Sequence, residues 1–199
     1  IYNESKLIIT NTNIYSNQAR DGAGICMRNY NYITGYLPSN LSMTLDSTTQ
    51  IYSNVASVDG GGICFILRDS AMESSSSYVA GVVIPLKLVL TGAKIYSNTA
   101  TNNGGGISFR GETGADKFYA FDIELNSGSI YSNSATHGGG IHAIATDRVI
   151  NVVVNGGVIG GSGTPNEASN QGGGVCLGNS YITLEMSNGE ISYNTATTG

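Results

Sequence analysis

The sequence predicts an all-β chain wound as a right-handed, single-stranded parallel β-helix (a β-solenoid) of about six coils with three short strands in each. Three observations predict it. One four-residue segment returns along the whole chain, short alternating runs stand on either side of it, and the composition is hostile to helices. The 199 residues include 28 Gly and only 3 Pro, with Ser, Thr and Asn abundant. Gly loses backbone entropy in a helix interior, and Ser, Thr and Asn divert its hydrogen bonds. The 40% apolar content separates the chain from disordered ones, which are short of apolar residues.

The returning segment is Ile-Tyr-Ser-Asn. It stands at Ile14–Asn17, Ile51–Asn54, Ile95–Asn98 and Ile130–Asn133, and Ile191-Ser192-Tyr193-Asn194 begins a last copy. Each complete copy leads through a Gly-rich triplet to a further apolar residue: Ile25, Ile63, Ile107 and Ile141. A degenerate copy runs from Ile159 to Val175, with its extra residues assigned to 160–171 in the glycine turn. Seven and five residues before the leading Ile stand Leu7 and Ile9, Leu88 and Leu90, Ile123 and Leu125, Val152 and Val154, Leu184 and Met186. The residue between them varies freely (Ile8, Val89, Glu124, Val153, Glu185). Period-two alternation is the mark of a strand with one buried face. Met43 and Leu45 fit if the second coil carries one extra residue in its turn. After the glycines, Ile25-Cys26-Met27, Ile63-Cys64-Phe65 and their counterparts alternate again.

The shortest repeat, from Ile1 to Ile25, spans 24 residues, the length of one turn of a three-strand solenoid. Longer repeats carry insertions at one place, residues 28–40, 67–86, 110–121 and 145–150. The Leu pattern of leucine-rich repeats and the signature of propeller blades are absent. The right hand follows from the general chirality of parallel strand connections.

Equivalent residues of successive coils then lie about 4.8 Å apart along the axis. Ile14, Ile51, Ile95, Ile130, Ile159 and Ile191 form an inward column, each side chain worth roughly 1.5–3 kcal/mol on burial. Asn17, Asn54, Asn98, Asn133 and Asn194 form a second column, whose amides bond along the axis while Asn tolerates positive φ at a tight corner. Ala19, Ala56, Ala100, Ala135 and Ala196, two residues on, suit a cramped turn.

A net charge of −5 without a basic cluster excludes nucleic-acid binding, which needs phosphates neutralised. No apolar run of 18 residues is present to cross a membrane as a helix. Residues 1–199 form a single β-helix domain, expected to be a fragment of a longer array whose open coil ends favour end-to-end or lateral self-association.

Ile95-Tyr96-Ser97-Asn98 followed by Gly105-Gly106-Ile107, and the stretch from Ile130 to Ile141, resemble the repeats of chlamydial polymorphic outer-membrane proteins and of adhesin-like β-helix proteins. The resemblance covers nearly the whole chain. It departs in having Gly for Ala before the Ile, and Ile for Phe at the apolar position. It implies a bacterial, extracellular or cell-surface protein that acts as a non-catalytic adhesin or stalk module, with host protein or glycan as partner and no cofactor.

The insertions are the natural binding elements of a solenoid. They hold Tyr30, Tyr32, Tyr36, Tyr78, Phe118 and Tyr119, and tyrosine-rich surfaces bind proteins and sugars. The competing expectation is that these loops only cover one side of the rod. Tyr15, Tyr52, Tyr96 and Tyr131 should form an outward aromatic column. Parallel β-helices also serve as glycan lyases and hydrolases, which need clustered carboxylates; here Asp116, Asp122, Glu124 and Glu185 are the sparse candidates. Cys26, Cys64, Ser108, His142 and Cys176 share one outward column, expected to be semi-exposed. His142 is next to Cys176, without the further ligands a metal needs, and His137 is expected to be solvated.

Overall fold

The computed structural model describes residues 1–3, 6–30, 42–68, 84–111, 119–145, 149–178 and 181–199. Over these residues the chain is all-β and every strand pairing is parallel, in three sheets that run along a common axis. It is a parallel β-helix.

The first sheet has ten strands: Leu7–Ile9, Ser42–Leu45, Ile84–Tyr96, Tyr119–Tyr131, Val149–Val154 and Ile182–Met186 run along it, and Asn13–Tyr15, Gln50–Tyr52, Val158–Gly160 and Glu190–Ser192 pair beside them. The second runs through Gln18–Asp21, Val55–Asp59, Thr99–Ala100, Ser134–His137, Glu167–Gln171 and Thr195–Ala196. The third runs through Tyr2–Asn3, Ile25–Tyr30, Ile63–Arg68, Ile107–Gly111, Ile141–Ala145 and Val175–Leu177. Registers hold each column in line. Ile14, Ile51, Ile95, Ile130, Ile159 and Ile191 are successive partners, and so are Ile25, Ile63, Ile107, Ile141 and Val175.

The three strands of a coil are divided differently from the sequence expectation. The Leu-x-Leu and Ile-Tyr runs belong to one sheet. In the third and fourth coils they fuse into single strands, Ile84–Tyr96 and Tyr119–Tyr131, with a register shift beyond Leu90. The residues after the Asn, expected to be a turn, form the second sheet. Their alanines are mostly buried, and Ala56, Ala100 and Ala135 cluster with Ala23 apart from the main core. The second coil does carry an extra residue in its turn, where Thr49 donates to Asp46 at 2.7 Å.

The core lies between the first and third sheets and is continuous from Ile9 to Ile182. Phe121 of the first sheet wedges between Phe65 and Phe109 of the third, with ring centroids 4.7 and 4.3 Å away. Aromatic pairs at such spacing add to plain burial.

Two backbone corners close each coil. At the first, positive φ falls on the Ser before the Asn and not on the Asn itself: Ser16, Ser53, Ser97 and Ser132 have φ of 53–55°. This corrects the role given to Asn, whose side chain is needed for bonding inward. At the second, Gly22, Gly60, Gly104, Gly138 and Gly172 have φ of 58–65°. A Cβ on Gly104 would fall 2.2 Å from the Ile107 carbonyl oxygen, whereas one on Gly163 would meet nothing within 4 Å.

Both glycines have positive φ, so alanine is strained at either, by roughly 1–2 kcal/mol. Only Gly104→Ala adds a backbone clash. It should therefore lower stability by clearly more than Gly163→Ala, as read from urea unfolding midpoints. Equal shifts would contradict the corner geometry.

Candidate functional site

The Asn column is a continuous hydrogen-bonded ladder. Asn54 donates from Nδ2 to Asn98 Oδ1 at 2.9 Å and to the Ile14 carbonyl at 3.0 Å. Its own Oδ1 accepts from the Asn17 backbone N–H and from Asn17 Nδ2. Asn98 and Asn133 repeat the pattern. Each of these amides thus fills both donors and receives two bonds, the full use of a primary amide in a dry interior.

Asn166 is the sixth rung, missed in the sequence. It accepts from Asn133 and donates to Asn194 at 2.9 Å and to the Ile130 carbonyl at 2.8 Å. The extra residues of the fifth coil lie before it, between Ile159 and Asn166, and not in the glycine turn. The available signal was Asn-x-Ala: Asn166-Glu167-Ala168 matches the other copies, and Ala168 pairs in register with Ala135 and Ala196.

Tyr15, Tyr52, Tyr96 and Tyr131 stack with centroids 4.9–5.0 Å apart and planes within 6°. The rings cover one another's faces, so the column offers edges and hydroxyls to solvent. Tyr15 is 54% exposed and the other three are half-buried. Burial raises the phenol pKa of Tyr96 and Tyr131. The column stops at the fifth coil, where Gly160 pairs with Ser192.

Of the insertion residues, Tyr30 ends the strand Ile25–Tyr30 and Tyr119 opens Tyr119–Tyr131. Tyr32, Tyr36, Tyr78 and Phe118 lie outside the described residues, as does Asp116. On the outer face of the first sheet, Glu124 pairs with Lys87 at 2.5 Å. Asp122 accepts from Asn151 at 2.9 Å, and Asn151 from Thr183 at 2.7 Å. Val153 separates Glu124 from Glu185 in register.

The column expected to be semi-exposed is buried instead: Cys26, Cys64, Ser108 and His142 are all at most 7% exposed, and only Cys176 is half-buried. The reason is the second corner. A Cβ on Gly60 would lie 2.6 Å from Cys64 Cβ, so the second and third sheets meet there in a tight inner angle that covers this column. The residue before the corner glycine is polar in each of the first five coils: Asp21, Asp59, Asn103, His137 and Gln171 are register partners, the two aspartates buried and Gln171 exposed. Arg28 pairs with Asp21 at 2.9 Å, Arg110 pairs with Asp59, and Asn103 donates to Asp59 at 2.8 Å. None of these ion pairs was anticipated; the signal was the polar residue before each corner glycine.

Burial pushes the thiol pKa of Cys64 well up, and those of Cys26 and Cys176 up as well, which makes them poor nucleophiles at neutral pH. Cys26 and Cys64 are in register and free. His137 is half-buried and its ring lies 6.3 Å from that of His142. Burial, then the neighbouring His137, lowers the pKa of His142 to about 4.

The fold and its columns define the class: a parallel β-helix whose coils are locked by stacked, in-register side chains. Comparisons with family models, curated proteins and solved structures find no match for this chain.

Truncating Asn98 to Ala orphans buried donors on Asn54 and the buried carbonyl of Ile51, each costing about 1–3 kcal/mol. Asn17 is exposed, so Asn17→Ala should cost far less. Denaturant midpoints compare the two, and near-equal losses would refute the ladder's role. A second expectation concerns pH. The folded pKa of His142 lies below its unfolded value near 6.5, so the unfolded state binds more protons between about pH 6.5 and 4. Stability from this group is intact above that window and falls through it, by about 3 kcal/mol. His142→Gln should flatten the stability profile over that range.

Proposed function

We propose that this chain is a non-catalytic extracellular or cell-surface module, an adhesin or stalk that holds binding insertions along one edge of a stiff rod. The resemblance to polymorphic outer-membrane and adhesin-like repeats motivates the proposal. The observation that carries it is where the insertions attach. Those at 31–41, 69–83, 112–118 and 146–148 leave strands of the third sheet and re-enter strands of the first. Successive departures are aligned, with Tyr30 partnered by Arg68 and Gly111 by Ala145. So are the returns, with Ile84 partnered by Tyr119 and Ala120 by Val149. Tyr30 and Tyr119 stand at this edge, and Tyr32, Tyr36, Tyr78 and Phe118 fall within the insertions themselves.

Elsewhere several carboxylates are paired with neighbours on the rod itself. Glu124 is tied to Lys87, Asp122 to Asn151, and the corner aspartates to arginines. Carboxylates held in this way support a scaffold better than a glycan lyase or hydrolase, which needs carboxylic groups facing substrate. A neutral glycan or a protein surface suits the tyrosines as partner through ring contacts and hydroxyl hydrogen bonds.

The test is to probe the folded chain on glycan and extracellular-protein arrays and, in parallel, to incubate it with acidic and neutral polysaccharides. Binding without turnover is expected. It should weaken about ten-fold, roughly 1.4 kcal/mol, in Tyr30→Ser/Tyr32→Ser/Tyr36→Ser and in Phe118→Ser/Tyr119→Ser, with unfolding midpoints unchanged. Turnover abolished by Asp122→Asn or Glu124→Gln, or binding indifferent to the tyrosines, would overturn the proposal.

A further inference from the structure

The inner angle between the second and third sheets changes character along the axis. Through the first three coils it is filled by the Asp21–Arg28 and Asp59–Arg110 pairs and by Asn103. At the fourth coil, Ile144 occupies the register position of Arg110. His137 and His142 stand where the preceding coil has Asn103 and Ser108. The two imidazoles are brought together by Gly138, with φ of 63° and no room for a Cβ, which would lie 2.7 Å from His142 Cβ.

His142 is 5% exposed, and its Nδ1 has no hydrogen-bond partner. The hydroxyl of Ser108, directly beneath it in register, is likewise buried without a partner. A buried nitrogen left unpaired costs about 1–3 kcal/mol, and a Lewis-acidic ion bound there would remove that cost.

We infer that His137 and His142 form a two-imidazole site for one monovalent, closed-shell transition-metal ion of the copper(I) type. The ring spacing fits that ion class when both donor nitrogens face the gap between the rings. A metal–imidazole bond is about 2.0–2.1 Å, and a five-membered ring with bonds of about 1.33 Å has a radius of about 1.1 Å. A near-linear nitrogen–metal–nitrogen arrangement therefore sets the ring centroids about 6.3 Å apart, and a tetrahedral one about 5.2 Å apart. The observed separation is 6.3 Å. Linear two-coordination belongs to monovalent d¹⁰ ions, whereas zinc takes four ligands.

The protonation state agrees with this. Burial keeps the imidazole of His142 neutral down to about pH 4, so one ring nitrogen offers a lone pair at neutral pH. Cys176, the register partner of His142 one coil on, is the competing soft donor. Burial raises its thiol pKa, and a soft ion binding there must displace the thiol proton.

Silver(I) is the probe, because it shares the charge and linear preference of copper(I) without its oxidation. Titrated into the folded chain, it should shift the imidazole ¹⁵N resonances of both His137 and His142 together. His137→Gln, at the half-buried position, and His142→Gln should each weaken binding at least about ten-fold. Cys176→Ser removes the adjacent thiol that competes for a soft ion and should leave both imidazole shifts in place. If His142→Gln does not fold, the His137 variant and the two imidazole signals decide alone. Silver held only by thiols, with both imidazoles unmoved, would overturn the inference. So would tighter binding of zinc at the same nitrogens.

Discussion

A buried amide in this fold has one arrangement that satisfies it, with an identical amide directly above and another below. That requirement fixes the rest of the molecule. The Asn rungs set the axial position of each coil, and the Ile residues on either side follow into their columns. The αL serine turns the chain so that the amide faces inward. Apolar burial supplies most of the free energy, but it is indifferent to small slips. A one-residue slip would instead leave four buried polar atoms unmatched at each rung, and each unmatched group is costly.

Much of this was legible in the sequence because ladders repeat residue identity and not merely residue type. The inward columns, the Asn rungs and the outward tyrosines could all be counted from one four-residue segment. What was misplaced depended on geometry that a single coil does not encode. The assignment of strands to sheets failed because the Leu-x-Leu and Ile-Tyr runs are joined by a bulge at Gly92 and Gly128, where a turn would look the same in sequence. Asn166 was overlooked because the flanking Ile-Tyr-Ser had been lost and only Asn-x-Ala remained. The outer Cys and His column was taken as semi-exposed because alternation tells in from out, while the sharp glycine corner makes part of the outside an inside.

The columns differ in how much chemistry they admit. Those facing the core vary in size but stay apolar, as Met27, Phe65, Phe109, Ala143 and Leu177 do in one column. The column in the inner angle passes from thiol to hydroxyl to imidazole and back to thiol within five coils. Local variety is tolerated there because the backbone on both sides is already fixed by the ladders. A rigid scaffold with one permissive groove and one permissive edge is well suited to acquiring sites without refolding.

The rungs also share a direction. The amide-to-amide bonds all run one way: each Nδ2 donates one N–H to the Oδ1 of the next coil's Asn, and its other N–H goes to an Ile carbonyl of the previous coil. The stacked dipoles therefore add, and the rod is electrically vectorial. A coil presented upside down would meet like poles, so the amide column gives the two ends of the rod different character.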